Sequence, residues 1–289
     1  MGMVAFAANS LLCRAALVET SIDAGSFTAL RLLSGALVLW LLVLWQQGAW
    51  QKGMRQQDAR SGHQADVSIK GDWLSALALF VYAAGFSFAY INLPAGSGAL
   101  LLFGAVQVSM ISVGLFSGER LNRWQVLGFG AAFSGLVGLL LPGAEAPPLM
   151  AALLMVVAGI AWGVYSLRGR AGGAPLQNTA GNFIRSVPMV LVLMLGVASM
   201  NGISLDASGI LLAIASGGLA SGVGYAIWYS VLPALKATMA AIVQLSVPII
   251  ATFGGLLWLD EPVSLRLILA SVAVLGGIAL FIVGRQRIS

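Results

Sequence analysis

Charge is what this chain has least of. Only 9% of its 289 residues are charged, against 59% hydrophobic, and the mean hydropathy is +0.94, whereas soluble domains carry about 25% charge. That deficit excludes an ordinary water-soluble globule and leaves a protein that crosses a bilayer many times. Cysteine and histidine are scarcer still, with one of each, Cys13 and His63. A lone cysteine in an apolar segment closes no intramolecular disulfide, and one cysteine with one histidine builds neither a Cys/His metal site nor a nucleophile and base pair. No carboxylate lies inside an apolar run, since every Asp and Glu falls in a connection or at a run's end; proton-driven pumps usually bury a titratable group on the path. No Walker or dinucleotide signature opens a strand and helix unit. These absences argue against an enzyme and against ATP use, and no cofactor or metal is expected. The net charge of +5 reads as membrane orientation and not as affinity for nucleic acid.

What is present is apolar length. Crossing the hydrocarbon core takes about 20 apolar residues, and ten such runs lie near 2–19, 27–47, 73–92, 95–116, 122–141, 149–167, 178–200, 208–230, 236–258 and 264–284. The first contains AFAANS, which imitates a signal-peptide cleavage site. It reads as a span because no basic stretch precedes it and its counterpart, 149–167, is internal. Basic residues mark alternate connections: Lys52, Arg55, Arg60 and Lys70, then Arg120 and Arg123, Arg168 and Arg170, Lys236, and Arg285 and Arg287. The intervening connections are acidic, with Arg266 the near exception. By the positive-inside rule both termini are expected in the cytoplasm of a cell whose inner (plasma) membrane holds the chain. The polar segment 48–72, which includes His63, has no apolar period and reads as a solvated loop.

The chain also echoes itself. GYAIWYSVLPA at 224–234 lies over GFSFAYINLPA at 85–95, so that Phe86 faces Tyr225. Gly118, Glu119, Arg120 and Leu121 lie over Asp260, Glu261, Pro262 and Val263, Gly135 over Gly277, Arg14 over Arg168 and Arg31 over Arg185. Collinear blocks separated by small insertions are the mark of a tandem repeat. Five spans per half is an odd number, so the second half enters the membrane upside down. The expected fold is an all-α integral membrane protein of ten transmembrane helices, built as two inverted-topology five-helix repeats over residues 1–141 and 142–289. Such pairs commonly hold a substrate at the midplane between the halves.

The polar and aromatic residues of the spans are the candidates for binding. Pro248 leaves the carbonyl of Gln244 without its helical donor, which makes that pair either a substrate contact or a structural kink. Gly218, Gly222, Tyr225 and Tyr229 recur at helical spacing in the eighth span, Tyr82, Phe86 and Tyr90 in the third, and Trp162 and Tyr165 in the sixth. An aromatic-lined cavity is one reading and ordinary packing or an interfacial belt the other, with Tyr90, Trp228 and Tyr229 as belt candidates. Asn9 and Gln107 are buried amides, each either interhelical glue or a substrate group. Arg14, Arg31, Arg168 and Arg185 sit near span ends, where long stems snorkel; Arg31 is expected to turn toward Glu19 or Asp23. Gly128, Ala131, Gly135 and Gly138, and Ala270, Ala273 and Gly277, form stripes suited to close helix packing.

With the repeat, the paired arginines and the GERL and DEPV blocks in place, the chain resembles the EamA family of the drug/metabolite transporter superfamily, and within it the amino-acid exporters, including those for aromatic amino acids. The resemblance implies a basket formed by spans one, three, four, six, eight and nine, with five and ten outside, and alternating access by a monomer or homodimer. Its partners would be membrane lipid and a small-molecule substrate, an amino acid; separately, the lack of a carboxylate within the spans points to an uncoupled facilitator. Pro262 departs from the family's usual Arg at that place. Rival readings are multidrug efflux, which would want a membrane-embedded glutamate; a nucleotide-sugar-like carrier, which would want deep basic residues; and a membrane enzyme or scaffold.

Overall fold

The computed structural model describes residues 1–57, 70–116, 118, 121–143, 146–170, 174–200, 202–231 and 243–286. His63, Glu119, Arg120 and Lys236 therefore lie outside the described residues. Within them the chain is all-helical: α1 (Gly2–Glu19), α2 (Ala24–Gln57), α3 (Trp73–Tyr90), α4 (Ala95–Phe116), α5 (Arg123–Leu140), α6 (Leu149–Arg170) and α7 (Pro175–Met200) come first. They are followed by α8 (Ala207–Ile214), a π-helical segment (Ala215–Val223), α9 (Gly224–Val231), α10 (Ser246–Trp258) and α11 (Leu265–Gln286). Helix α8, the π segment and α9 form one continuous eighth span. Eight of these helices are long and apolar enough to cross a membrane, and α10 is a shorter apolar helix of 13 residues. The protein is a multi-pass membrane protein, because only helices or closed barrels satisfy every backbone group in lipid.

Short polar side chains start the helices where the sequence supplies them. Asp72 accepts from the backbone N–H of Ser75 at 2.9 Å and from its hydroxyl at 2.7 Å at the head of α3. Asn122 and Gln125 close a capping box on α5, and Asp206 caps α8. Asp23 takes the backbone N–H and hydroxyl of Ser26 at the head of α2 and also accepts from Ser204 N–H at 3.0 Å. Two expectations need correction here. Segment 48–72 is not loop throughout, since α2 continues to Gln57. Asp23 is occupied by Ser26 and Ser204, so it is not the partner of Arg31.

Small residues set the helix contacts. A Cβ at Gly277 would lie 2.6 Å from the Gly128 carbonyl oxygen, and one at Gly128 would lie 2.5 Å from that of Gly277, so α5 and α11 touch backbone to backbone along the two expected stripes. Gly159 of α6 meets the Leu102 carbonyl oxygen of α4 in the same way. Without a hydrophobic force between helices in lipid, such close packing joins interhelical hydrogen bonds in holding the helices together. The pairs of packed helices have a pattern of their own. α3 packs on α6 and the eighth span on α1; α4 packs on α6 and α10 on α1; α2 packs on the eighth span and α7 on α3. α2 pairs with α7, α4 with α10 and α5 with α11. Exchanging the first five spans with the last five maps the first six contacts onto one another in pairs and the last three onto themselves.

Candidate functional site

At the place where α1, α2, α3, α6 and the eighth span meet, polar groups from four elements form one hydrogen-bonded group. Tyr82 of α3 accepts from Arg31 Nη2 of α2 at 2.7 Å and from Asn9 Nδ2 of α1 at 3.4 Å. Ser216, in the π segment, donates its hydroxyl to Asn9 Oδ1, and Arg31 Nε reaches the hydroxyl of Ser221, also in the π segment, at 3.5 Å. Both lone pairs of the Tyr82 oxygen are thereby engaged.

An aromatic shell encloses these groups. Trp162 packs 4.7 Å from Tyr82, 5.1 Å from Tyr225 and 5.4 Å from Tyr165, centroid to centroid. Phe6 stands edge-on to Trp162, Tyr225 and Trp228; Phe86 joins Tyr82 to Tyr90, and Phe183 of α7 meets Tyr225. Edge-to-face and offset pairs at these separations are the favoured geometries.

Arg31 is the residue that the sequence reading misplaced. It is only 1% exposed and does not snorkel: its guanidinium carbon lies 5.0 Å from the Tyr82 ring centroid and 4.7 Å from that of Phe86, and Nη1 has no hydrogen-bond partner among the described residues. The available signal was depth. Arg31 comes seven residues after the start of α2, roughly 10 Å along a helix, and the orientation of the side chain depends on helix rotation, which packing sets. Its repeat counterpart Arg185 does different work at the periphery, donating to the Lys70 carbonyl at 2.9 Å and to Gly181. The register that lays Phe86 over Tyr225 also lays Tyr82 over Ser221, so the two hydroxyls that hold Arg31 come from corresponding places in α3 and the eighth span.

Of the nine candidate residues, Asn9, Tyr82, Phe86, Trp162, Tyr165 and Tyr225 are gathered in this centre. Gln107 is buried in α4 and Gln244 is half-buried, and neither joins the hydrogen bonds or ring contacts of the centre among the described residues. Pro248 lies in the first turn of α10, after a break at Leu245. It lines an apolar groove of about 460 Å³ between α10 and α11, with Thr252 and Leu267. Tyr90 and Trp228, 0% and 9% exposed, belong to the aromatic shell, which corrects their assignment to an interfacial belt. The side chain of Tyr229 is outside the description.

The eighth span reads as a plain helix with glycines at helical spacing but contains a π segment, ASGGLASGV, at the centre. Such π turns are rare and occur often at functional sites. Here Ser216 and Ser221 are both turned inward, and Gly217 lies against the Arg31 carbonyl oxygen of α2 so closely that a Cβ would overlap it.

The other two arginines tie the ends of α3. Arg14 Nε pairs with Glu261 Oε1 at 2.9 Å, and its Nη1 donates to the Tyr90 and Ile91 carbonyls; Glu261 Oε2 in turn accepts from Ala95 N–H at 2.7 Å. At the opposite end Arg168 Nη2 pairs with Asp72 at 2.9 Å and Nε with the Ser75 hydroxyl. Burial raises the proton affinity of the Asp72 carboxyl, but hydrogen bonds from Ser75 and the charge of Arg168 outweigh it and hold its pKa below the usual value.

The fold and centre define a polytopic helical membrane protein with a buried polar site between its helices. A solved crystal structure superposes on 96% of this chain and 95% of its own with a TM-score of 0.65 at 18% identity, a likeness of fold alone. Residues 149–283 match the EamA-like transporter family. An uncharacterized protein of Pseudomonas aeruginosa is 53% identical over 99% of this chain and 93% of its own length. An uncharacterized transporter of Archaeoglobus fulgidus is 27% identical over 73% of this chain and 77% of its own. The chain belongs to the same family as the Pseudomonas protein.

Proposed function

We propose that this transporter exports amino acids, aromatic and other neutral ones, across the inner (plasma) membrane with both termini cytoplasmic. Residues 1–141 and 142–289 are in this reading two repeats of opposite topology that rock against one another to give alternating access. The exchange pattern of helix contacts supports the repeat. The observation that carries the functional reading is the centre itself: a hydrogen-bonded group of Asn9, Arg31, Tyr82, Ser216 and Ser221 inside a shell of aromatic rings, drawn from both halves. Polar groups buried in a membrane bundle are costly and mark substrate paths; the amide and hydroxyls suit the polar end of an amino acid, and Trp162, Phe6 and Tyr225 its side chain. Helix α2, through Arg31, joins the spans that the family resemblance assigns to the basket.

Among the described residues the centre has no acidic side chain to meet a cationic drug or to carry a proton, which favours an uncoupled facilitator over multidrug antiport. Purified protein in proteoliposomes with labelled neutral amino acids tests this. Downhill flux is expected without an imposed ion gradient, lowered by Trp162→Ala at unchanged expression. Unchanged flux in that variant would return the aromatic shell to packing alone.

A further inference from the structure

Arg31 is more than one polar group among several. It is a full positive charge, buried within the bundle, whose only hydrogen-bond partners among the described residues are the neutral hydroxyls of Tyr82 and Ser221. Cation–π contact with Tyr82 and Phe86 offsets part of the burial, but a buried ion without a counter-charge costs several kcal/mol, and Nη1 is left without a hydrogen-bond partner among the described residues. By sequence, no Asp or Glu in the chain lies inside a span. Of the described acids near span ends, Asp23 is committed to Ser26 and Ser204, Asp72 to Ser75 and Arg168, Asp206 to Gly209 and Glu261 to Arg14 and Ala95, and among the described residues neither ion pair involves Arg31.

Resting on the transporter reading above, we propose that the unpartnered side of Arg31 is a carboxylate subsite, and that the transported class is monocarboxylates with an apolar or aromatic body, the amino group being optional. The guanidinium presents a planar fork that matches a carboxylate. One anionic charge neutralises the centre; a second would be in excess. The walls of Phe6, Phe86, Trp162 and Tyr225 take the apolar body. Among the described residues nothing of opposite sign stands ready for an ammonium group, and the Tyr82 and Phe86 rings that could receive a cation already hold one. A substrate is therefore selected by its acid, and loss of its amine is tolerated.

The test compares four probes that share one body: phenylalanine, 3-phenylpropanoate, phenylalanine amide and phenethylamine. Each is measured as inhibitor of labelled phenylalanine flux, and as labelled substrate, in proteoliposomes of the intact protein. Phenylalanine and 3-phenylpropanoate are expected to be carried and to compete with each other, while the two probes without a carboxylate do neither. In Arg31→Gln, carboxylate flux should fall on the order of 30-fold or more, with Arg31→Lys recovering part of it. A role for Arg31 in packing alone would leave phenylalanine amide excluded in Arg31→Gln as in the wild type, whereas loss of a carboxylate subsite should let the amide compete as well as phenylalanine for the residual flux, so the amide-to-phenylalanine inhibition ratio is the readout. Because Arg31→Gln could fail to fold, the comparison of probes on the wild-type protein stands without it. If phenylalanine is carried but 3-phenylpropanoate is not, or if phenethylamine competes as well as phenylalanine, the carboxylate rule falls and amino-acid export survives. If none of the four is carried, both fall.

Discussion

Replacing Gly217 with Ala disturbs the centre without removing a polar atom. Gly217 sits in the π segment against α2, and a methyl group there overlaps the Arg31 carbonyl oxygen and the Ser34 hydroxyl. Ser34 can rotate away; the backbone of α2 cannot. To restore van der Waals distance the two elements must part by about 1 Å. Overpacking of this kind costs about 1–3 kcal/mol, and a displacement of about 1 Å at a binding centre can lower turnover by roughly 100-fold. Gly196 and Gly276 are controls of the same chemistry, since a Cβ at either meets nothing within 4 Å. The assays are thermal unfolding in detergent and amino-acid flux in proteoliposomes. Gly217→Ala should lower the melting temperature by several degrees and reduce flux well beyond that loss, while Gly196→Ala and Gly276→Ala match the wild type. Wild-type flux and melting in Gly217→Ala would refute the close contact between the π segment and α2.

Other expectations concern the ends of α3 and the outer helices. Glu261→Gln removes the charge that pairs with Arg14, where the side chains are only 17% and 12% exposed, and should cost about 1–3 kcal/mol in thermal unfolding. Asp72→Asn, in a pair 41% and 47% exposed, should cost under about 1 kcal/mol at neutral pH. The depressed pKa of Asp72 fixes the sign of its pH dependence: its contribution is complete at neutral pH and is lost as pH falls through that value, below about 4. A melting temperature measured against pH should therefore drop less steeply in acid for Asp72→Asn than for the wild type. Gly277→Ala places a methyl 2.6 Å from the Gly128 carbonyl oxygen and should destabilise by about 1–3 kcal/mol, measured against neutral Gly276→Ala.

The architecture was legible because lipid enforces it. A span must be long and apolar, so ten runs could be counted; eight coincide with described helices long and apolar enough to cross a membrane, 236–258 overlaps the shorter α10, and 122–141 overlaps α5, which is not among those eight. The stripes at Gly128 and Gly277 were legible for a similar reason, since small residues repeated on one face have few uses other than close contact. The centre was legible in its composition, from Asn9, Tyr82, Phe86, Trp162, Tyr165 and Tyr225, but not in its electrostatics. Arg31 looks like a snorkelling residue in sequence, and only the rotation of α2 against α3 and the π segment brings it under Tyr82 and Phe86. That rotation depends on Gly217 and Ser34, contacts between spans almost two hundred residues apart in sequence. Tyr90 and Trp228 were misread for the same reason, because position along a span gives depth and says nothing of which way a ring turns. Pro248 shows the reverse case: its break in the ninth span is real, but it faces the groove toward α11 and not the centre.

The most direct measurement is flux of a panel of labelled neutral amino acids into proteoliposomes that contain only this protein, with no ion gradient imposed. Downhill movement of several of them, saturable and mutually competing, is the expected result. Flux that begins only when a proton gradient is added would contradict the uncoupled mechanism, and no amino-acid flux under either condition would contradict amino-acid transport.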